Sequence, residues 1–190
     1  MFDLVISVGE AAFRGLAHLG VKAGQTLLIH GAAGSVGTIA VQLAMARGIT
    51  VVGTAAEADL DRVRALGASA VRYGEGWADR VRAITPDGVD AVFDTSGAGV
   101  LAESVALVGE NGGAAQVITI ADESAAEHGV RFTGADPADR FPEALPELAA
   151  LAASGRLTVP IWRSYPLAEA AQAHADLEAG RNHGKIVLLP

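Results

Sequence analysis

The chain has no cysteine, and its histidines are few and scattered. The absence of cysteine excludes disulfides, thiolate catalysis and every zinc or iron–sulfur site with cysteine ligands. The five histidines are His18, His30, His128, His174 and His183. None forms an H-x-x-x-H or H-E-x-x-H pair, so we predict no metal site. We interpret His30, at the end of an apolar run, as a satisfied structural residue.

Clustered basic residues and long apolar runs are also missing. The 190 residues carry a formal net charge of -8, whereas nucleic-acid binding needs grouped lysine and arginine side chains. No apolar run approaches the ~20 residues that span a bilayer, and residues 1–9 lack the pattern of a secretory signal. The sequence therefore predicts a soluble cytoplasmic protein that binds neither nucleic acid nor a membrane.

Short apolar runs alternate with segments of helical periodicity, in a chain that is 51% hydrophobic. The predicted strands cover residues 26–30, 50–53, 70–73, 91–94, 115–120 and 185–189. The predicted helices cover residues 36–47, 60–66, 77–84, 100–108, 141–154 and 167–177. Such alternation predicts an α/β fold with a doubly wound parallel sheet, followed by a C-terminal helical segment and a closing strand. Ligands bind such sheets at the carboxyl ends of the strands.

The junction between the first strand and the first helix of this alternation is rich in glycine. Gly34 lets a ligand approach the backbone, and Gly37 lets the helix lie close to the strand. The amides of Ser35, Val36 and Gly37 would then point out of a helix N-terminus, which favours an anion such as a diphosphate. Retention of the glycines for packing alone is the alternative. The strand at 50–53 completes a βαβ unit of ~30 residues and favours the Rossmann-type dinucleotide site.

Several longer segments carry a resemblance to a known family. They are 21–37 (VKAGQTLLIHGAAGSVG), 64–68 (RALGA), 89–94 (VDAVFD), 112–113 (GG), 165–174 (YPLAEAAQAH) and 184–188 (GKIVL). In this order they resemble the zinc-independent quinone oxidoreductase branch of the medium-chain dehydrogenase/reductase family. The resemblance covers nearly the whole chain and is far more specific than the glycine loop alone.

The resemblance also implies a division of the chain. Residues 1–20 correspond to a linking helix, 21–135 to the dinucleotide-binding Rossmann domain, and 136–190 to C-terminal helices and a last strand that complete the family's fold. In the family, a GroES-like catalytic domain precedes the linking helix and forms the other wall of the active cleft. The resemblance leaves three possibilities for the chain. It is a fragment, a natural short protein, or one half of a split enzyme with its catalytic domain on a separate chain.

The end of the second strand bears on cofactor choice. An Asp or Glu there would bind the ribose 2′-OH of NAD, but this chain has Thr54 and Ala55, which favours NADP(H) and leaves NAD(H) as the alternative. The resemblance implies that Tyr73 contacts the adenosine phosphate; an exposed aromatic at a strand end is the other reading. A lysine that relatives offer to the 2′-phosphate is missing, and Arg62 and Arg64 are the candidates to replace it.

At the nicotinamide end, the resemblance implies that Thr95, Ser96, Thr119 and Ile120 lie on the loops beneath the ring, where small residues and backbone amides hold the carboxamide. Relatives often have a threonine at position 11, where this chain has Ala11. Its absence should weaken positioning of the ring without abolishing diphosphate binding.

The function implied is hydride transfer from NADPH to a quinone or another α,β-unsaturated carbonyl. No residue qualifies as a general acid or base, so the catalytic residues stay unknown. A non-catalytic dinucleotide-binding or redox-sensing module and the enoyl-reductase portion of a larger synthase are the alternatives. Residues 130–136 are shorter and less apolar than the edge region that relatives use to dimerise, which predicts a monomer or a weak homodimer.

Overall fold

The apolar runs of the sequence become strands in the computed structural model, most of them in one parallel sheet. The structure describes residues 2–181 and 184–190, without the side chains of 2–7 and 110. The strands are β1 Thr26–His30, β2 Thr50–Ala55, β3 Ser69–Arg72, β4 Ala91–Asp94, β5 Val117–Thr119, β6 Arg131–Phe132, β7 Ile161–Pro166 and β8 Lys185–Leu189. The helices are α1 Phe2–Leu19, α2 Ser35–Ala46, α3 Leu60–Ala65, α4 Trp77–Ile84, α5 Leu101–Val108, α6 Ala144–Ala153 and α7 Ala170–Glu178.

The main sheet has six parallel strands in the order β3-β2-β1-β4-β5-β6. The chain moves outward from β1 to β3 and then returns to β4 on the other side of β1. The strand order therefore reverses between β1 and β4, where doubly wound sheets open a crevice for ligands. The predicted Rossmann-type fold class is confirmed.

Helices cover both faces of this sheet. Neighbouring residues of a strand point to opposite faces, so each strand contributes side chains to two cores. Leu27 and Ile29 of β1 belong to the core under α1, α2 and α6, whereas Leu28 belongs to the core under α4 and α5. All three side chains have no exposed surface. This burial on both faces explains why the central strands are continuous apolar runs rather than alternating ones.

The later part of the chain departs most from the predicted elements. Gly113–Gln116 form a 3-10 turn, so β5 begins at Val117 rather than at 115. No strand was predicted between residues 120 and 141, but β6 lies there and pairs with β5 at the edge of the sheet. Strand β7 was not predicted, and it pairs in parallel with β8 as a separate two-stranded sheet.

Within the described ranges, no helix combines the length and the apolar character needed to cross a bilayer.

Candidate functional site

Four buried polar residues lie at or next to the ends of neighbouring strands, in one row across the carboxyl edge of the sheet. His30 of β1 is in register with Thr54 of β2 and with Asp94 of β4. Asp94 is in turn in register with Thr119 of β5. None of the four is more than 2% exposed. The row places the ends of β2, β1, β4 and β5 at one level, directly beneath the predicted ligand crevice.

A cavity of about 380 Å³ opens above this row at the strand-order reversal. It brings together six of the predicted site residues, which are Gly34, Ser35, Thr54, Ala55, Tyr73 and Ser96. The other predicted site residues, Val36, Gly37, Thr95, Thr119 and Ile120, are not among those that line it. The structure thus gathers the predicted phosphate and ribose positions, whereas the predicted nicotinamide positions extend beyond the cavity.

The N-terminus of α2 forms one wall of this cavity. Gly34 is its N-cap residue, with extended backbone angles and no side chain to cap the helix. The amides of Ser35, Val36 and Gly37 have no partner inside the helix because the carbonyls that would accept from them precede it. Unpaired amides at a helix N-terminus and the helix dipole favour an anion, and no side chain of the N-cap residue competes for them here.

Gly37 has a different role from Gly34. A Cβ atom at position 37 would lie 2.1 Å from the Gly31 carbonyl oxygen and 2.8 Å from Ala32 Cα, so only glycine permits this approach of helix to loop. At Gly34 the nearest atom to such a Cβ would be the same oxygen, at 3.1 Å. Packing therefore accounts for Gly37, and it constrains Gly34 much less.

The lining of the cavity also contains an ion pair. Arg62 of α3 lies there with its Nη1 atom 2.8 Å from Asp59 Oδ1, and Tyr73, which is 59% exposed, lines the same cavity. Arg64 makes an equivalent contact of 2.8 Å with Asp61, but neither residue lines the cavity. Of the two arginines that the sequence offered as 2′-phosphate partners, Arg62 is the one at the cavity.

His30 makes two hydrogen-bond contacts at the base of the cavity. Its Nδ1 lies 3.1 Å from the Thr54 hydroxyl, and its Nε2 lies 3.1 Å from the Ser104 hydroxyl. The Ser104 hydroxyl donates its own proton to the Val100 carbonyl at 2.7 Å, so it accepts from Nε2–H, and Nδ1 accepts from Thr54. Burial lowers the pKa of His30 to about 4, against a smaller opposing effect of Asp94, and keeps the ring neutral. The expectation that His30 is a satisfied structural residue is confirmed.

Asp94 holds together the loops after β4 and β5. Its carboxylate accepts from the backbone amide and hydroxyl of Ser96, at 2.9 and 2.7 Å, and from the Thr119 hydroxyl at 2.8 Å. The Thr119 hydroxyl also accepts from the amides of Ala121 and Asp122, each at 3.1 Å. Thr95 donates its hydroxyl proton to the His30 carbonyl at 2.7 Å. The side chains of Thr95 and Thr119 thus fix the loop backbone.

Other residues at the cavity were not anticipated. Trp77 lines it and packs edge-on against His30, with ring centroids 4.5 Å apart. Gly180 and Gly184 also line it, although they belong to the C-terminal segment. The sequence patterns of strands and helices do not indicate that residues so far along the chain would line the cavity. His183, between those glycines, lies outside the described residues. No group of three histidine or acidic side chains in the described ranges could hold a metal ion.

Comparisons with known proteins agree with this geometry. A family model described as zinc-binding dehydrogenase matches residues 66–188. The spectinabilin polyketide synthase system protein NorB of Streptomyces orinoci is 39% identical over 93% of this chain, which spans 9% of that protein. The quinone oxidoreductase structure from Coxiella burnetii is 33% identical, with a TM-score of 0.78 over 96% of this chain and 58% of that one.

A mycobacterial protein solved in complex with NADPH is 30% identical, with a TM-score of 0.75 over 97% of this chain and 62% of that one. The chain thus spans less than two thirds of each of these relatives. The family model covers more than half of the 190 residues. The sequence motifs, the strand order and this match together show that the chain belongs to the medium-chain dehydrogenase/reductase family, as its nucleotide-binding half.

Proposed function

We propose that this chain binds NADPH at the carboxyl edge of its sheet and serves hydride transfer to a quinone or another α,β-unsaturated carbonyl. The observation that carries the proposal is the cavity between the uncapped N-terminus of α2 and the Arg62 side chain. These two features line the same cavity and suit the two phosphate-bearing parts of NADPH.

The residues present fit this cofactor. The backbone at Gly34 and Ser35 would hold the diphosphate, because no side chain caps the helix there. Thr54 and Ala55 would lie at the adenosine ribose, where a carboxylate would repel a 2′-phosphate. Arg62, whose charge Asp59 shares through a 2.8 Å contact, would supply the positive charge for that phosphate. The resemblance to a protein solved in complex with NADPH supports NADPH as a cofactor.

The remaining predicted site residues are kept in this proposal. Val36 and Gly37 would contribute amides to the diphosphate site, and Tyr73 would cover the adenosine phosphate. Thr95, Ser96, Thr119 and Ile120 would support the nicotinamide end through the loop backbone that Asp94 holds. The division into residues 1–20, 21–135 and 136–190 is likewise kept as a proposal.

The reduced nicotinamide supplies the hydride in this chemistry, and the protein supplies binding, orientation and exclusion of water. The neutral His30 ring and the Asp94 carboxylate keep the floor of the crevice rigid without offering a proton donor. Tyr73, the phenol at the cavity, is proposed to cover the adenosine phosphate, and Asp59 is paired with Arg62, so solvent would supply the proton that the acceptor takes up. We therefore assign no catalytic residue.

Fluorescence titration of the purified chain with NADPH and NADH, side by side, tests the cofactor. We expect saturable binding of NADPH and at least tenfold weaker binding of NADH. Equal, millimolar-weak signals for the two would refute the assignment. Reduction of 1,4-benzoquinone under the same conditions then separates an oxidoreductase domain from a module that binds without turnover. Because the chain spans 58% of the quinone oxidoreductase, we expect turnover to be slow.

The second candidate is the enoyl-reductase portion of a polyketide synthase. The 39% identity to a polyketide synthase protein, of which the chain spans 9%, favours it. A crotonyl-pantetheine thioester is the discriminating acceptor. A synthase portion should reduce this thioester faster than benzoquinone, and the opposite order supports the quinone reductase.

We further propose that the chain is a monomer or a weak homodimer. Strand β6, at the edge of the sheet, has only two residues, which offers little backbone for pairing with a second copy. Sedimentation equilibrium at micromolar concentration tests this. A stable dimer at the lowest concentration measured would contradict it.

A further inference from the structure

The short loop between β3 and α4 carries one of the residues that line the cavity at the strand-order reversal. We name residues 73–76 the Tyr73 loop. Tyr73 follows the last residue of β3 and lines the cavity. Its backbone amide donates to the Ala55 carbonyl at 3.0 Å, which ties the start of the loop to the end of β2.

Apolar packing does little to hold the Tyr73 loop. Residues 72–76 are all exposed, and the Tyr73 ring itself is 59% exposed. The position of the ring therefore depends on the backbone from which it projects. That backbone turns at Gly74, with a φ of +89°, and at Gly76, with a φ of +72°, values that suit glycine but leave it many other conformations. A different interaction must keep the loop in one shape.

The Arg80 guanidinium supplies that interaction from the neighbouring helix α4. It donates to the carbonyls of four consecutive residues, 72–75. Its Nε and Nη2 atoms donate to the Arg72 carbonyl at 3.2 and 2.9 Å, and Nη1 donates to the Glu75 carbonyl at 3.0 Å. Nη2 also lies 3.4 Å from the Tyr73 carbonyl and 3.1 Å from the Gly74 carbonyl. The loop thus wraps around one charged group.

Arg80 differs in this from the other arginines of α3 and α4. Arg62, Arg64 and Arg82 each contact an aspartate three residues earlier in the chain, at 2.8 Å. At that spacing Arg80 has Trp77 instead, and its donors are directed to the loop backbone. Hydrogen bonds from a charged donor are stronger than those between neutral groups. Arg80 is not among the residues that line the cavity, so any effect of these bonds on a ligand passes through the loop.

We propose that Arg80 is a positioning residue for the dinucleotide, which holds the Tyr73 loop in the conformation that places the Tyr73 ring over the adenosine phosphate. This inference rests on the proposed binding of NADPH in the cavity. Without the guanidinium, the four carbonyls turn to solvent and the loop takes other conformations. The ligand must then order the loop as it binds, and that cost lowers its affinity.

A double-mutant cycle measured by NADPH titration tests the link between the two residues. We expect Tyr73→Ala to weaken binding about tenfold and Arg80→Gln about fivefold, with the double variant no weaker than Tyr73→Ala alone. The reason is that Arg80 has nothing to position once the ring is removed. Arg82→Gln is the matched control, since it removes the same charge from the same helix, and it should leave the affinity unchanged.

Arg80→Lys separates the hydrogen bonds from the charge. Lysine keeps the positive charge, but one ammonium group cannot reach carbonyls spread over four residues, so NADPH binding should be as weak as in Arg80→Gln. Wild-type affinity in Arg80→Lys would overturn the proposal in favour of charge alone. Wild-type affinity in Tyr73→Ala, or losses that simply add in the double variant, would overturn the role of Tyr73.

Hydrogen exchange of the chain without ligand tests the loop independently of the cofactor. Peptides that cover residues 73–77 should exchange faster in Arg80→Gln than in wild type or Arg82→Gln, while thermal unfolding remains cooperative. Unchanged exchange there would show that Arg80 does not hold the loop and would overturn the proposal. Failure of the wild-type chain to bind NADPH would instead refute the proposed function, and the exchange result would still decide whether Arg80 orders the loop.

Discussion

The Thr119 hydroxyl donates a hydrogen bond of 2.8 Å to Asp94 Oδ2, and this contact joins the loops after β5 and β4. Asp94 also accepts from the Ser96 amide in its own loop, while Thr119 accepts from the Ala121 amide in the next. Both side chains are fully buried. The backbone on which the nicotinamide end of the proposed site depends is thus held by one carboxylate and one hydroxyl.

We expect Asp94→Asn to destabilise the chain by about 2–3 kcal/mol, because the amide nitrogen cannot accept from the donors around it. Urea unfolding measures this loss. Thr119→Val should also destabilise the chain, since the Ala121 and Asp122 amides lose their acceptor, whereas Thr119→Ser keeps the hydroxyl and serves as the control. Wild-type stability of Asp94→Asn would show that the carboxylate does not hold the two loops.

The second prediction concerns the glycine loop and distinguishes a glycine needed for packing from one needed for ligand binding. Gly37→Ala places a Cβ atom 2.1 Å from the Gly31 carbonyl oxygen, and we expect a loss of about 3 kcal/mol or more in the free energy of unfolding. Gly34→Ala should change stability by less than about 1 kcal/mol. Its methyl group would nevertheless lie next to the amides of the helix N-terminus, so NADPH affinity should fall at least tenfold.

Denaturant unfolding and NADPH fluorescence titration, applied to both variants, give the two readouts. Retained NADPH affinity in a stably folded Gly34→Ala variant would favour the interpretation that the loop glycines serve packing alone.

The strands with the clearest signal in the sequence are those buried on both faces, whereas the more exposed β3 and β8 were predicted from shorter or terminal apolar runs. β1, β2 and β4 are continuous apolar runs flanked by turn residues. This pattern can be recognised from the local sequence alone, without knowing which strands pair with them. β6 has two residues, and β7 contains arginine, serine and proline and is largely exposed, so neither leaves a clear period. The existence of these strands depends on pairing with distant segments, which local periodicity does not encode.

The site shows the same limit. Glycine spacing predicts the anion position at Gly34 because that geometry is local to a strand, a turn and a helix. The row formed by His30, Thr54 and Asp94 requires the register between three strands, which are far apart in sequence. Arg62 and Arg64 are equal candidates in the sequence, but two residues on a helix differ by about 200° in direction, so only one faces the cavity.

That difference between the two arginines gives the third prediction. Arg62→Gln should weaken NADPH binding about tenfold, or about 1.4 kcal/mol, and leave NADH binding unchanged, because the guanidinium is proposed to contact only the 2′-phosphate. Arg64→Gln is a matched control, since Arg64 has an acidic partner at the same spacing and the same 2.8 Å distance. Added salt should reduce the difference between wild type and Arg62→Gln.

Parallel titrations of the two variants with NADPH and NADH provide the measurement. An unchanged ratio of NADPH to NADH affinity in Arg62→Gln, with both coenzymes still bound, would exclude Arg62 as the phosphate partner. That result would not contradict the proposal that the coenzymes bind in this cavity. Loss of both coenzymes would instead indicate a role for Arg62 in the shape of the cavity.

His30 should make the stability of the chain depend on pH. Burial lowers its pKa from 6.5 to about 4, so the unfolded chain takes up a proton at a higher pH than the folded chain does. The stabilising contribution is therefore complete above pH 6.5 and is lost as the pH falls toward 4, at a rate of up to about 1.4 kcal/mol per pH unit. His18 has a pKa lowered mainly by burial and acts in the same direction.

We would measure urea unfolding of wild type and His30→Asn at pH 4.5, 5.5, 6.5 and 7.5, which roughly spans the titration of His30. The difference between the two gives the contribution of His30 to the pH dependence of the free energy of unfolding. The variant lacks the titrating ring, so its stability should fall less steeply below pH 6.5, although it is less stable at pH 7.5 because Thr54 or Ser104 loses its partner. His174→Asn, at an exposed position of α7, should follow the wild-type slope. An identical slope in wild type and His30→Asn would mean that the ring is protonated without cost in the fold, which contradicts its burial between two hydroxyl groups.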